Sequence, residues 1–298
     1  MTLLSDDRWR DLLETRATRP EAVAEALAGR RRRPRLTDGR LLLVAADHTA
    51  RAMLGVRDDP TAMADRRSLL ERLLVALAHP GVDGVLGSPD VIEELALLGA
   101  LDDKLVAGSM NRGGLEGATW ELDDPMTAYS AAAIADAGLD AGKVLLRIHW
   151  GDAGTRETIV ACAQAVCELA DRGLMALVEP LPYHSGADGK PTLWFDQIAL
   201  TRAIGVAAAL GNTTAHTWLK VPVTAKIERV LASSTLPALI LGGSPGKDPE
   251  REYAAWSRAM EVPTVRGLVV GRALLYPLDG DVASAVDRAA RIVRPGGS

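Results

Sequence analysis

Residues 41–50 read LLLVAADHTA, an apolar run that ends in Asp-His-Thr rather than in a glycine-rich turn. A short, continuous apolar run of this kind is typical of a parallel strand that is buried on both faces. A doubly wound, dinucleotide-binding sheet usually has a GxGxxG turn directly after its first strand. Because that turn is missing here, the first strand favours a closed barrel over an open doubly wound sheet.

Seven more apolar runs follow this first one. Between them lie Ala- and Leu-rich stretches with charged faces, which predict helices. Eight strand–helix units without a break in composition predict one α/β domain, a (β/α)8 TIM barrel, over residues 39–298. The predicted strands are LLLVAADH (41–48), GVDGVLGS (81–88), KLVAGSM (104–110), KVLLRIHW (143–150), LMALVEPL (174–181), TWLKVPVT (217–224), ALILGG (238–243) and GLVVGRAL (267–274).

Residues 1–38 precede the predicted barrel and form a helical extension in this interpretation. Two helical patterns, near 5–16 and 20–29, could cover the bottom of the barrel. A basic run, Arg30 to Arg33 followed by Arg35, then leads into the first strand. Charge runs of this length are usually solvated, so we expect an exposed turn here.

Composition excludes several classes of partner. The formal net charge of -5 argues against a general polyanion-binding surface, so no nucleic acid is expected. No apolar run reaches the ~18 residues that a membrane span needs, so no membrane partner is expected. The two cysteines, Cys162 and Cys167, are five residues apart, a spacing that suits neither a redox CxxC motif nor a zinc site. We therefore expect free thiols and a cytoplasmic protein.

One lysine interrupts the sixth apolar run. Lys220 lies in TWLKVPVT, and a buried lysine that loses its proton is a nucleophilic amine. Glu179 lies in a similarly apolar setting on the fifth strand, and Asp47 ends the first. Catalytic groups of barrels lie at the carboxyl ends of strands, where these residues are expected to meet. A buried Lys220–Glu179 ion pair that only fixes packing, with Asp47 as a strand-end cap, is the alternative.

The fourth strand also carries ionisable groups. Lys143, Arg147 and His149 share one face because side chains alternate along a strand. All three are candidate site residues. In the alternative interpretation, Lys143 opens its strand and is solvated at the bottom of the barrel, and His149 is a histidine whose hydrogen bonds are satisfied at the top.

Glycines at the ends of the last two strands indicate a phosphate site. LGGSPG (241–246) supplies Gly242 and Gly243, and VGRALL (270–275) supplies Gly271 and Arg272. Exposed backbone N–H groups at these two strand ends can bind a phosphate, and an arginine adds a charge-assisted contact. Long loops after the third strand (111–124) and the fifth (182–194) contain glycines and could close over such a site.

Taken together, these residues resemble the class I aldolase superfamily of phosphate-binding barrels, over roughly residues 40–292. The resemblance is greatest to the branch with archaeal-type fructose-bisphosphate, tagatose-bisphosphate and deoxyribose-phosphate aldolases. It rests on Asp47-His48, TWLKVP, LILGG and GLVVGR. It implies that Lys220 forms a Schiff base, that Asp47 is the first-strand aspartate, and that Glu179 transfers protons as in the tagatose-bisphosphate branch. It also implies phosphate binding by Gly242, Gly243, Gly271 and Arg272.

The sequence departs from this family on the fourth and fifth strands. The fifth reads VEPLPYHSG, where archaeal-type enzymes carry aromatic residues that include the catalytic tyrosine, and Tyr183 could substitute from the loop. Arg147 and His149 are also unusual. Relatives with this pattern occur in inositol-catabolic settings, which points to a keto sugar acid phosphate whose carboxylate an added arginine would suit.

The sequence therefore predicts a lyase that cleaves or forms a C–C bond in a phosphorylated keto sugar or keto sugar acid. Lys220 would be kept neutral by desolvation and by a nearby cation, Arg147 or Lys143, while Glu179 with Asp47 or His149 moves protons. We expect no metal, no cofactor and a homo-oligomer. The alternatives are a metal-dependent aldolase and a non-catalytic sugar-phosphate sensor. The metal ligands would be drawn from His48, His149, His184 and His216.

Overall fold

Eight parallel strands close into a barrel, which confirms the predicted (β/α)8 architecture. The computed structural model describes residues 2–34 and 38–296. A ninth, short strand, β6, lies outside the barrel and pairs antiparallel with β5. The strands are β1 (Leu41–Ala46), β2 (Gly84–Gly87), β3 (Leu105–Ser109), β4 (Ala141–Ile148), β5 (Met175–Ser185), β6 (Pro191–Leu193), β7 (Thr217–Pro222), β8 (Ala238–Leu241) and β9 (Val265–Val270).

Helices connect the strands and surround the barrel. Within the described ranges, no helix is long and apolar enough to cross a membrane. A 3-10 turn, Thr49–Arg51, follows β1. The α-helices are α1 (Asp6–Thr18), α2 (Glu21–Gly29), α3 (Arg66–Ala78), α4 (Pro89–Leu97), α5 (Ala131–Asp136), α6 (Gly154–Asp171), α7 (Gln197–Ala208), α8 (Ile227–Leu231), α9 (Pro249–Ala259), α10 (Arg272–Leu275) and α11 (Val282–Val293).

The barrel separates two layers of apolar side chains. Leu42 and Val44 of β1 pack outward against the helices, whereas Leu43 and Ala45 point into the barrel. This alternation follows from the two-residue period of a strand. The inner layer continues with Leu177, so Glu179, two residues further along β5, also points inward. The alternation of side chains along the strands therefore places a layer of polar side chains directly above the apolar interior of the barrel.

The N-terminal helices lie beside the barrel rather than beneath it. Helix α1 contacts α4 through an ion pair between Arg16 and Glu93 at 3.3 Å, and α2 packs against α4. Arg30, which follows α2, reaches the bottom of the barrel and donates hydrogen bonds to the carbonyl oxygens of Lys104 and Gly138, at 3.0 and 2.6 Å. The segment after α2, not the helices, therefore contacts the bottom end.

The prediction of a solvated arginine turn is wrong for part of the run. Arg30 is buried and pairs with the equally buried Asp140 at 3.2 Å. Arg33 pairs with buried Asp83 at 2.5 Å. Arg31 and Arg32 are exposed, as predicted, and Arg31 pairs with Asp103 at the surface. Arg35 lies outside the described residues.

Two connections differ from the predicted ones. The loop after the fifth strand is in part a hairpin, because β5 runs on to Ser185 and pairs with β6. The helix predicted between the third and fourth strands is short, because α5 begins only at Ala131. Ser130 is its N-cap, and its side chain accepts a hydrogen bond from the Ala133 N–H at 3.1 Å. An N-capping serine begins a helix, so the preceding residues stay irregular.

Replacing Arg30 by methionine should lower the free energy of unfolding by about 3 kcal/mol, because the buried Asp140 would keep only the half-exposed Arg32 as a cationic partner. Arg31→Met is the matched control one residue away, and its exposed ion pair should contribute no more than about 1 kcal/mol. Urea unfolding of both variants measures the difference. Equal effects of the two substitutions would contradict a structural role specific to Arg30.

Candidate active site

A cavity of about 820 Å³ opens at the carboxyl ends of the barrel strands. This is the end at which barrel enzymes carry their active sites. Residues from nearly every βα unit line it, together with the loop after β3 and the β5–β6 hairpin. The sequence-predicted site residues in its lining are Asp47, Lys143, His149, Glu179, Lys220, Gly242, Gly243, Gly271 and Arg272.

Glu179 lies between two lysines in the interior of this cavity. Its carboxylate is 2.6 Å from Lys143 Nζ and 3.1 Å from Lys220 Nζ. Lys143 Nζ also lies 3.3 Å from an Asp47 carboxylate oxygen. All four side chains are buried. They come from β4, β5, β7 and the end of β1, and the alternation of side chains along each strand directs them to one point.

Burial and charge act in opposite directions on these groups. Burial alone would raise the pKa of Glu179, but the two lysines lower it to about 2. Burial lowers the pKa of Lys143, and the positive charge of Arg112 lowers it further, so that the value is about 8 in spite of Asp47 and Glu179. Lys143 is thus the member of the cluster that can exchange a proton near neutral pH. Its predicted alternative, a solvated position at the bottom, is wrong.

Asp47 is held as a carboxylate at the edge of the cluster. Burial would raise its pKa, but the charges of Arg112 and Lys143 hold the pKa well below its ordinary value. Ser109 Oγ donates a hydrogen bond to Asp47 Oδ2 at 2.5 Å. The neighbouring His48 lines the cavity, and burial lowers its pKa to about 3, so this ring is neutral.

Arg147 does not join the cluster, contrary to the prediction that it could be the cation beside Lys220. Its guanidinium is fully buried and pairs with Glu121 at 3.1 Å and with Asp124 at 2.9 Å. It does not line the cavity. Gly114 lies so close that an added Cβ would be 1.9 Å from Arg147 Nη2. Arg147 therefore fixes the loop after β3 from below.

The same loop places an arginine in the cavity that the sequence analysis did not identify as a site residue. Arg112 lines the cavity, and its Nη2 is 3.2 Å from Asp47 Oδ2. It stands next to Asn111, whose side chain bonds both the N–H and the carbonyl of Leu145 on β4, at 2.7 and 2.6 Å. The only sequence signal was its position directly after the third strand, in NRGG.

His149 and Tyr183 occupy the upper wall of the cavity. His149 Nδ1 accepts a hydrogen bond from the Gly151 N–H at 3.0 Å, so its Nε2 carries the proton and lies 3.1 Å from Ser185 Oγ. Tyr183 lies on the hairpin section of β5, and burial raises the pKa of its hydroxyl. Both side chains line the cavity above the lysine cluster.

The predicted phosphate residues meet at the ends of β8 and β9. Arg272 is buried, donates one hydrogen bond to the Gly55 carbonyl at 3.2 Å, and has no partner for its Nε within the described residues. A Cβ on Gly271 would lie 2.3 Å from the Ala45 carbonyl oxygen and 2.6 Å from His48. Gly243 has φ +66°, which favours glycine. Backbone and guanidinium donors are thus available to an anion here.

The histidines do not gather into a metal site. Among the residues that the structure describes, no group of three or more His, Cys, Asp or Glu side chains is arranged to hold a metal ion. His48 and His149 line the cavity from different strands. His184 instead packs edge-on against Trp194, with 5.7 Å between the ring centroids.

A family model described as Cgl0159-like matches residues 39–290 of the chain. The chain belongs to the Cgl0159-like family. The crystal structure of Cgl0159 from Corynebacterium glutamicum (Brevibacterium flavum) is 48% identical over 99% of both chains, with a TM-score of 0.96. No curated protein matches the chain in sequence.

More distant solved structures share the fold of this Cgl0159-like protein. An archaeal fructose 1,6-bisphosphate aldolase is 18% identical, with a TM-score of 0.69 over 92% of this chain and all of that one. A fructose-bisphosphate aldolase from Slackia heliotrinireducens is 17% identical, with a TM-score of 0.60 over 96% of this chain and 92% of that one. At such identities the likeness is one of fold.

Replacing Arg147 by methionine should loosen the loop after β3, because Asp124 would lose its buried cation and Glu121 would keep only Arg51. The Gly114 N–H donates to Asp124 and the Gly117 N–H to Glu121, both at 2.9 Å. We expect these two amides to exchange with solvent at least about 10-fold faster in the variant. Arg156→Met, which removes an exposed pair with Glu157, is the control. Unchanged exchange at both glycines would refute this role for Arg147.

Proposed function

We propose that this Cgl0159-like protein is a class I aldolase. Lys220 would form a Schiff base with the ketone of a phosphorylated keto sugar or keto sugar acid, and a C–C bond would be cleaved or formed. The observation that carries this proposal is the cluster of two buried lysines on one carboxylate inside the barrel cavity. One structure with the same fold, at 18% identity, is of an archaeal aldolase whose catalytic Lys is covalently bound to the carbinolamine intermediate of the substrate.

The arrangement suits nucleophilic attack by an amine. A lysine attacks a carbonyl only after it has lost a proton, and a second buried amine close to it can take part in that proton transfer. Lys143, with a pKa of about 8, is suited to carry that proton near neutral pH. Glu179, with a pKa of about 2, would remain a carboxylate that orients both amines. This assigns proton transfer to Lys143, where the sequence analysis favoured Glu179.

The reaction can be written with the groups in the cavity. Lys220 Nζ adds to the ketone carbon, and the carbinolamine oxygen leaves as water after protonation, which gives an iminium ion. A base then removes the proton from the hydroxyl on the carbon two positions from the iminium carbon. The C–C bond next to that hydroxyl-bearing carbon breaks, and its electron pair forms the C=C bond of a neutral enamine. The aldehyde leaves, the enamine carbon takes up a proton, and water releases the second product from Lys220. Lys143 with Asp47 or His149 would move these protons.

The charges of the cavity favour an anionic substrate. Arg272 retains an unpartnered Nε within the described residues, and it lies beside the glycines at the ends of β8 and β9. Cations outnumber carboxylates among the buried lining residues, since Arg51 and Glu121 pair with each other. The remaining groups are Lys143, Lys220, Arg112 and Arg272 against Asp47 and Glu179. A phosphate bound by Arg272 would balance this excess and hold the ketone at Lys220.

Incubation with dihydroxyacetone phosphate followed by borohydride reduction should leave a stable adduct on Lys220, because reduction traps an imine. Mass spectrometry of the digested protein locates it. Lys220→Ala should abolish the adduct, whereas Lys226→Ala, an exposed lysine six residues away, should retain it. Lys143→Met should slow its formation by at least about 100-fold if Lys143 transfers the proton.

Three outcomes would point elsewhere. An adduct on Lys143 in place of Lys220 would reverse the roles of the two lysines. Loss of activity in EDTA would favour a metal-dependent aldolase. No adduct with any of a panel of phosphorylated ketones and aldehydes, with binding retained in Lys220→Ala, would favour a non-catalytic sugar-phosphate sensor.

A further inference from the structure

Arg112 is held beside the lysine cluster by two backbone carbonyls, one just after β1 and one just after β3. Its Nε donates to the carbonyl of Asn111 at 2.8 Å, and its Nη1 donates to the backbone carbonyl of Asp47 at 3.2 Å. Asn111 is itself fixed to β4 by two hydrogen bonds with Leu145. The guanidinium therefore has one orientation, with Nη2 next to the Asp47 carboxylate.

The contact of Nη2 with Asp47 is an ion pair rather than a hydrogen bond. The two groups are 3.2 Å apart, yet Nη2 has no hydrogen-bond partner within the described part of the chain. A buried donor without a partner is costly, so packing alone does not account for this arginine. What Nη2 supplies is positive charge at Asp47 Oδ2, the same oxygen that Lys143 Nζ approaches at 3.3 Å.

Lys143 is consequently surrounded by charges from four directions. Two carboxylates favour its protonated form, and two cations oppose it. The groups that face it are Asp47 from the end of β1, Glu179 from β5, Lys220 from β7 and Arg112 from the loop after β3. The two carboxylates are shared, since Asp47 also contacts Arg112 and Glu179 also contacts Lys220. Removal of one cation should therefore leave a lysine that holds its proton more tightly.

We propose that Arg112 is a positioning residue that fixes the Asp47 carboxylate and makes Lys143 a readily deprotonated amine. Burial is the largest cause of the lowered pKa of Lys143, which is about 8. Among the neighbouring cations, Arg112 lowers this pKa most. The titration of Lys143 is a property of the free protein. Its consequence for catalysis rests on the proposed aldolase function.

The titration of Lys143 can be observed directly, because the chain has only six lysines. Lysine labelled with carbon-13 gives one Cε signal per residue, and Lys143→Arg assigns the relevant one. In Arg112→Met the midpoint of Lys143 should move upward by about one pH unit, because a like charge has been removed. A midpoint within about 0.2 unit of the wild-type value, in a folded variant, would overturn the proposal.

Two further variants separate charge from shape. Arg112→Lys keeps the charge and should leave the midpoint close to that of the wild type. Arg51→Met removes an equally buried arginine, 6% exposed against 7%, that also lines the cavity but pairs with Glu121, so it should not shift Lys143. An equal shift in Arg51→Met would show a general effect and refute the specific role. If Arg112→Met does not fold, Arg112→Gln removes the charge and can still donate to the Asp47 carbonyl.

The pH dependence of borohydride trapping connects this titration to the reaction. The part of the pH profile of trapping that reflects deprotonation of Lys143 should shift to higher pH in Arg112→Met. The size of this shift should equal that of the NMR midpoint. A shift in the NMR midpoint with no adduct in any variant would leave Arg112 as proposed and reject the aldolase. An adduct whose pH profile does not move, together with an unshifted midpoint, would retain the aldolase and reject the role of Arg112.

Discussion

One carboxylate shared by two buried lysines is the constraint on which this site depends. Glu179 lies within 3.1 Å of both Lys143 and Lys220, in a cavity where water cannot fully solvate either charge. Two ammonium groups so close to each other repel, and burial opposes both. The carboxylate makes the arrangement possible, and its removal would leave two like charges facing each other. Buried ion pairs contribute little net stability, so a cluster of this kind requires another explanation than folding.

The barrel creates this arrangement with little local sequence. Parallel strands in a closed sheet bring their carboxyl ends together, and the two-residue period directs alternate side chains inward. Lys143 and Glu179 are on neighbouring strands, where Lys143 is opposite Leu177 in register. The lysine thus lies one inward layer below the glutamate, and its long side chain extends upward to the carboxylate. Lys220 reaches the same carboxylate from β7 on the other side.

Much of this could be predicted because strands that avoid charge make each charged residue conspicuous. The barrel, the inward direction of Lys220 and Glu179, and the position beside the cavity of the glycines that follow β8 and β9 could be predicted from periodicity and position. Arg147 shows the limit of that reasoning. The alternation of side chains correctly directs Arg147 inward, but it does not reveal that Glu121 and Asp124 of the loop before β4 would pair with its guanidinium. The role of Arg147 depends on its height along the barrel axis, and the alternation of side chains along a strand does not give that height.

Loops and turns were predicted less well, because their contacts depend on the completed fold. Arg112 lies in an irregular stretch, and its contact with Asp47 joins residues that are far apart in sequence. Arg30 was likewise indistinguishable from its exposed neighbour Arg31 until Asp140 was placed beside it. Arg30 belongs to a basic run that composition alone assigns to the solvated surface, and Arg112 belongs to a loop predicted only as a segment that could close over the site. The carboxylates that pair with them are on other elements, so no local pattern could have identified them.

The two groups of arginines around the cavity have different electrostatic consequences. Arg51 and Arg147 are matched by Glu121 and Asp124, so these four buried side chains together carry no net charge. Arg112 and Arg272 are not matched in this way, because Asp47 is shared with Lys143 and, among the described residues, Arg272 has a backbone carbonyl as its hydrogen-bond acceptor and no carboxylate within ion-pair distance. Positive charge is therefore concentrated around the lysines and the glycine-rich strand ends. This positive electrostatic potential acts on the anionic group of a substrate that enters the cavity, and it also acts on the protonation of the lysines. An imine-forming enzyme would use both effects.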